Sequence, residues 1–330
     1  MKHHIILVVW GKSYVDFFLR FTIPNHLSAG NLSAFTETVS TYKIYTHAED
    51  AVTITTSSEF KKLSNTISTK IITIDNLVTL EKYSKMTLCH KMAIKDAENC
   101  NATLIFLPPD VIFAANSFQN LLCLEKNGTR VIMIAVPRVD KTEIIPQLEH
   151  TLKSTEQLTI SPRSMVEMAL PSLHPVANSL FYDTKNASQW PSQLYFNVLD
   201  GGLIAHCFHL HPILVRPRIH SVSFDITIDG DYLLSSCPDS SEISVITDSD
   251  IIMAMEPCDD SYGSSPSDKR YSIPRIARWA AINANKHHRY FFTHKICFHS
   301  GSTDTPEWDK IKTRSDLFTT NITTCTNRLI

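Results

Sequence analysis

The stretch that most limits the fold of this chain runs from Asn101 to Phe113, NATLIFLPPDVIF. Ala102 to Leu107 is an unbroken apolar run of strand length with β-branched members, the pattern of a strand buried on both faces. Such a strand belongs to a layered α/β sheet in which helices cover each side. Pro108 and Pro109 end the run, because each removes a ladder donor and together they force a turn. Asp110 then stands just past the carboxyl end of the strand, the edge of an open α/β sheet where ligands bind. Two readings of Asp110 follow: a carboxylate that holds a divalent cation, or a side chain that caps the turn.

Signals of the same kind lie on either side. Ile5 to Trp10 reads as a buried strand, followed by Gly11 and a helical pattern through Val15, Phe18, Leu19 and Thr22. Pro24 to Asn31 is a polar loop. Tyr42 to Thr46 and Lys70 to Ile74 are further strands, the first ending in His47-Ala48-Glu49-Asp50. Asp50 suits a hydrogen bond to a base or ribose, and equally an acid at a helix N-terminus. Leu80 to Asn99 carries a helical stripe of Met86, Cys89, Met92, Ala93 and Ala97, with Lys85, His90, Lys91 and Lys95 largely off it. Ser117 to Asn127 is a helix closed by Gly128, and Arg130 to Val136 a buried strand. This order predicts a mainly parallel sheet with helices on both faces. Neither G-x-G-x-x-G nor G-x-x-x-x-G-K-[ST] is present.

The later chain is looser. Asp140 to Ser192 is rich in Pro and Ser, with one helix expected at Arg163 to Leu173. Asp200-Gly201-Gly202 reads as a tight turn before strands at Leu203 to Phe208 and Ile213 to Val215. His209 and His211 alternate with Leu210, so on a strand they share a face. That spacing suits a metal ligand, a general base, or histidines satisfied in a core. Phe224 to Leu234 and Ser244 to Met255 carry two D-x-D triplets, Asp229-Gly230-Asp231 and Asp248-Ser249-Asp250. The first scores as a hairpin turn. Pro274 to His288 predicts a helix whose basic face is either solvated or set against phosphate or a membrane surface. Residues 300–330 read as irregular.

Composition narrows the function classes. A net charge of −2 excludes bulk electrostatic attraction to nucleic acid, and 43% apolar residues leave ample material for a core. The eight cysteines are scattered without a C-x-x-C pair and read as reduced thiols. With no leader pattern and no apolar run near ~20 residues, the expectation is a cytoplasmic protein without a transmembrane segment, a peripheral membrane contact staying open.

The segments VVWGKSY, YKIYTHAED, LPPDVIF, DGGLIAHCFHLHP and DGDYL together resemble a group of bacterial glycosyltransferase-like proteins with the GT-A, nucleotide-diphospho-sugar transferase fold. The resemblance spans residues 5 to 255. It implies an α/β, GT-A-like (Rossmann-like) domain over residues 1–255, with a mostly parallel central sheet flanked by helices. Residues 256–330 would then be a C-terminal helix and irregular tail packed on it. It also implies donor contacts from Val9, Trp10, Gly11, Tyr14 and Asp50 or Glu49, with Lys91 as a basic partner of the diphosphate. The family's D-x-D motif holds Mn²⁺ or Mg²⁺; its second Asp corresponds to Asp110, whereas Pro108 occupies the first position. Loss of that carboxylate implies a weakly held ion, its replacement by basic residues such as Lys91, or lost activity. His211 would be a late metal ligand, and Asp200 or His209 the base that takes the acceptor proton in an inverting reaction. The implied function is transfer of a sugar from a nucleotide-diphospho-sugar, such as a UDP-sugar, to a glycan or protein acceptor. The alternative is a catalytically silent module of the same fold that binds a partner or a glycan.

Overall fold

The computed structural model describes residues 1–77, 80–154, 157–199, 201–220, 228–259 and 269–330. Strands come first as β1 (Lys2–Val8), β2 (Val39–Thr46), β3 (Ser68–Thr73), β4 (Thr103–Phe106), β5 (Ile112–Phe113) and β6 (Val131–Ile134). They continue as β7 (Arg138–Asp140), β8 (Gln193–Val198), β9 (Gly202–Cys207), β10 (His211–Val215), β11 (Ile243–Val245), β12 (Ala254–Cys258) and β13 (Ile296–His299). The helices begin with α1 (Lys12–Phe17), α2 (Ile23–His26), α3 (Ala48–Thr56), α4 (Ser58–Thr66), α5 (Lys82–Cys100) and α6 (Ser117–Lys126). After these come α7 (Lys141–Ser154), α8 (Pro162–Ala169), α9 (Pro175–Asn178), α10 (Leu233–Ser236), α11 (Ile273–Asn283), α12 (Lys286–Phe292) and α13 (Pro306–Asn327). The chain divides into two interleaved units. One holds Met1–Met133, Leu148–Ile160 and Pro212–Ser244; the other holds Ile134–Gln147, Ser161–His211 and Val245–Ile330.

The first unit is built on a seven-stranded sheet of order β11-β6-β10-β4-β1-β2-β3. β1 pairs in parallel with β2 and with β4, and β2 with β3, while β10 runs antiparallel to β4. The architecture is thus mixed α/β with a mostly parallel central sheet and flanking helices. The apolar runs named above supply its interior: Ile5, Leu7, Tyr42, Ile44, Leu104, Ile132 and Leu214 are fully buried. Gly128 closes α6 in the left-handed region, at φ 98°.

The second unit carries β9 between β8 and β13, all antiparallel, and β12 beside β7 in parallel. Its core joins Phe196, Phe208, Phe292, Ile276, Trp308 and Ile322. Several expectations are corrected here. Residues 300–330 are not irregular, since most of them form α13. Thr305 caps that helix by accepting from the Trp308 N–H, and Pro306 occupies its first position. Its inward stripe is Trp308, Ile311, Ser315, Thr319, Ile322 and Thr326, at helical spacing but half hydroxylated, so hydropathy alone does not reveal it. The single helix over Pro274 to His288 is two, α11 and α12, separated where Asn285 opens a capping box with His288. The Asp229-Gly230-Asp231 triplet sits not in a hairpin but in a wide helical turn, Ile228–Tyr232, that runs into α10. Residues 221–227, just before it, lie outside the described residues.

Gly202 at the start of β9 is dictated by packing. A Cβ there would stand 2.2 Å from Cζ2 of the fully buried Trp308.

Two buried histidines tie this fold to pH. Burial pushes His26 down to about 3, and it pushes His206 down to about 4 against the raising effect of its bond to the Phe292 carbonyl. Both rings are therefore neutral when folded but protonate below about 6.5 when unfolded. The unfolded chain binds the extra protons, so this stability is full above about pH 6.5 and is lost as pH falls toward 4 and 3. Each ring should contribute a slope of about 1.4 kcal/mol per pH unit across that window. Urea titrations at pH 7, 6 and 5 should show the loss, with a shallower slope in His206→Phe. Equal slopes in both proteins would contradict the assignment.

Candidate functional site

The strand order β3-β2-β1-β4 contains a reversal. The chain steps outward from β1 to β2 and β3, then returns to form β4 on the other flank of β1. Loops leaving β1 and β4 diverge at such a point, and the crevice outside their carboxyl ends is where an α/β sheet takes ligands. Each strand of the four delivers chemistry to this edge: Trp10, Gly11 and Tyr14 after β1, His47 and Asp50 after β2, Asp75 after β3, and Asp110 after β4. The first turn of α5, which connects β3 to β4, adds Lys82 and Lys85.

Three sets of contacts hold these side chains. Gly11 takes φ 82° and turns the chain from β1 directly into α1, a conformation that favours glycine. Its N–H donates to Asp50 Oδ2 at 2.8 Å, joining the ends of β1 and β2. The Lys85 ammonium is buried; it lies 5.2 Å over the Trp10 ring and 3.2 Å from His47 Nε2, to which it donates. His47 Nδ1 is 3.6 Å from Asp75, whose carboxylate also accepts from the Ala48 N–H at the start of α3. Lys82 donates to the Tyr14 hydroxyl at 3.0 Å and lies 4.8 Å over that ring. The Tyr14 bond holds the Lys82 ammonium above the ordinary lysine range, and the Asp110 carboxylate adds to the effect. The edge thus offers two aromatic faces and two ammonium groups, a combination suited to a planar base and to phosphate oxygens. The N-terminus of α5 itself is spoken for, because Glu81 accepts from the Tyr83 and Ser84 N–H groups.

The residues expected to act fall into three groups. Trp10, Gly11, Tyr14, Asp50 and Asp110 come together at this edge, whereas Val9 is buried beneath it with its N–H donated to the Tyr45 carbonyl. Asp50 occupies the first turn of α3 and also braces Gly11, which makes it a structural tie of the loop. Lys91 stands nine residues beyond the start of α5, about 13 Å along the axis. Lys82 and Lys85 hold the position expected of it. Sequence periodicity marked Lys85 as off the apolar stripe, but only the fold brings it to Trp10 and His47. His209 and His211 belong to the second unit and do not share a strand face. His209 lies in the bend between β9 and β10, its ring 4.2 Å from that of His288, and His211 opens β10. Asp200 lies outside the described residues.

The divalent cation implied at Asp110 lacks a matching ligand set. Among the described residues Asp110 belongs to no group of three His, Cys, Asp or Glu ligand atoms close enough to share an ion. Pro108 has no side-chain ligand to give, and Lys82 contributes positive charge nearby. A lone carboxylate beside a cation fits poorly with a hard octahedral ion.

The opposite, amino edge of the sheet carries a cleft of about 320 Å³ lined by Lys2, Asn101, Thr103, Arg130, Arg216 and His220. It is basic, but it has none of the aromatic faces found at the carboxyl edge.

No protein-family model matches this chain, and no curated protein matches it. Among 48 matching solved chains is a Bacillus anthracis protein described as a glucose-1-phosphate thymidylyltransferase, solved in complex with a sucrose. That likeness has 12% identity and a TM-score of 0.25, and it covers 43% of this chain and 57% of the other. A likeness of this size assigns neither family nor activity. Among the described residues no helix is long and apolar enough to cross a membrane.

Asp50→Ala tests the loop tie directly. Losing the acceptor of the Gly11 N–H should cost about 1 kcal/mol, seen as a lower urea midpoint at unchanged slope. An unchanged midpoint would show that Asp50 does not hold the loop.

Proposed function

We propose that the carboxyl edge of β1–β4 binds a nucleotide-activated sugar and that the protein transfers the sugar to a glycan or protein acceptor. The observation that carries this reading is the convergence of Trp10, Tyr14, Lys82 and Lys85 where the strand order reverses. An aromatic ring offers a stacking face for the base, and the ammonium groups neutralise the diphosphate. In sugar transfer the acceptor oxygen attacks the anomeric carbon while the bond to the diphosphate breaks, so negative charge grows on the leaving phosphate. Fixed cations aimed at that charge stabilise the transition state more than the ground state. Lys82 and Lys85 take that role here, with Tyr14 holding Lys82 in place. Two features also suit the silent binding module of the same fold: the missing first carboxylate at Pro108 and the internal bonding of Lys85 to His47.

Thermal shift with UDP, GDP, CDP, CMP and UDP-sugars, each with Mn²⁺ and with EDTA, tests the proposal. One nucleotide at about a hundredfold above its Kd should stabilise the protein by about 2.7 kcal/mol in either condition. Lys82→Ala and Lys85→Met should remove the shift. A shift seen only with Mn²⁺ would return the cation to the site, and no shift with any nucleotide would refute the donor site. Nucleotide binding without release of sugar to any acceptor or to water would leave the binding module.

A further inference from the structure

The second unit contains a group of side chains that the donor site does not use. The segment after β11 pairs with β13: Cys297 N–H donates to the Thr247 carbonyl at 2.8 Å, and Ser249 N–H to the Cys297 carbonyl at 3.0 Å. Ser249 is buried and its hydroxyl accepts from the His299 N–H at 3.1 Å, so the segment is pinned along the strand. Its two neighbours, Asp248 and Asp250, keep partly exposed carboxylates. The Asp250 N–H donates to Asp248 Oδ1 at 2.8 Å. His299, only 5% exposed, closes the group with Nε2 at 2.9 Å from Asp248 Oδ1. One ligand atom from each of Asp248, Asp250 and His299 lies within 4.8 Å of the other two.

The decisive feature is the other nitrogen of the ring. His299 Nδ1 is 2.7 Å from the Gly301 carbonyl oxygen, which can only accept, so Nδ1 carries the hydrogen. Nε2 points at Asp248 Oδ1 at 2.9 Å; a proton on Nε2 satisfies that contact, and a metal ion held by both atoms can take the proton's place. A histidine whose Nδ1–H is held by a backbone carbonyl is also the orientation that presents Nε2 to a metal. We infer that Asp248, Asp250 and His299 form a binding site for a divalent transition-metal ion. Imidazole with two carboxylates is a donor set for Zn²⁺ ahead of Mn²⁺, and it leaves a coordination position open. Bonds near 2.0–2.2 Å set ligand atoms about 3.4 Å apart, so Asp248 and His299 would separate by about half an ångström on binding. Arg163 grips Asp250 through Nε and Nη2, the latter at 2.9 Å, leaving the carboxylate room for one further bond. Its charge opposes the ion and moderates affinity.

The test is calorimetric titration of the chelator-treated 330-residue chain with Zn²⁺ alone and with Mn²⁺ alone, without nucleotide. The result expected is one Zn²⁺ per chain, bound more tightly than Mn²⁺. Binding should vanish in His299→Ala and also in Asp250→Asn, which keeps the shape of a partly exposed side chain. Arg163→Ala should bind about fivefold more tightly, because a like charge is removed. Co²⁺ substitution gives a second readout, a visible absorption band lost in the same variants. No binding to wild type and none to Arg163→Ala would overturn the inference. So would a wild-type ring carrying hydrogen on both nitrogens by nitrogen-15 NMR at pH 8 in the presence of Zn²⁺. Failure here leaves the donor site untouched, since that site lies on other residues and is read out with nucleotide.

Discussion

Parallel strands cannot be joined by a tight turn, and this constraint shapes the first unit. β1 has a parallel neighbour on each flank, so the chain must cross over from its carboxyl end and later return to its other side. The returning connection is α5, and its first turn is thereby carried to the edge where β1, β2 and β4 end. Everything of chemical interest at that edge follows: the Gly11 turn, the Asp50 brace, the two lysines over two aromatic rings, and Asp110 beyond Pro109.

A carboxylate pair that grips a metal is one way to cancel a diphosphate, and an ammonium pair is another; the proposed donor site rests on the second. Lys85 is buried against Trp10 and His47, so its charge is already desolvated and positioned. Preorganised charge of that kind needs no rearrangement as the leaving group forms. The ligand set that does suit an ion, Asp248 with Asp250 and His299, stands in the other unit on a segment locked to β13.

Much of the first unit was legible in the sequence because its signals are local. A doubly buried strand reads as an apolar run, and Gly11, Gly128 and Pro108-Pro109 mark their turns by conformational necessity. The second unit was less legible. α13 turns Ser315, Thr319 and Thr326 inward, so its stripe is not apolar. The Asp248–His299 contact joins residues 51 apart, which no spacing rule reaches. Lys91 and Lys85 look alike on a helical wheel drawn for charge; only the direction of α5 relative to β4 decides which one arrives at the site. The His209-Leu210-His211 alternation failed for a related reason, because a bend at Phe208 and His209 interrupts the strand on which the two rings would have shared a face.

Amide hydrogen exchange of the 330-residue chain with saturating nucleotide locates the ligand without presuming the chemistry. Binding at the reversal of strand order predicts slowed exchange in peptides covering residues 9–14, 47–50, 80–86 and 108–111. Slowed exchange confined to residues 101–103, 130 and 216–220, the basic cleft at the amino edge, would contradict it.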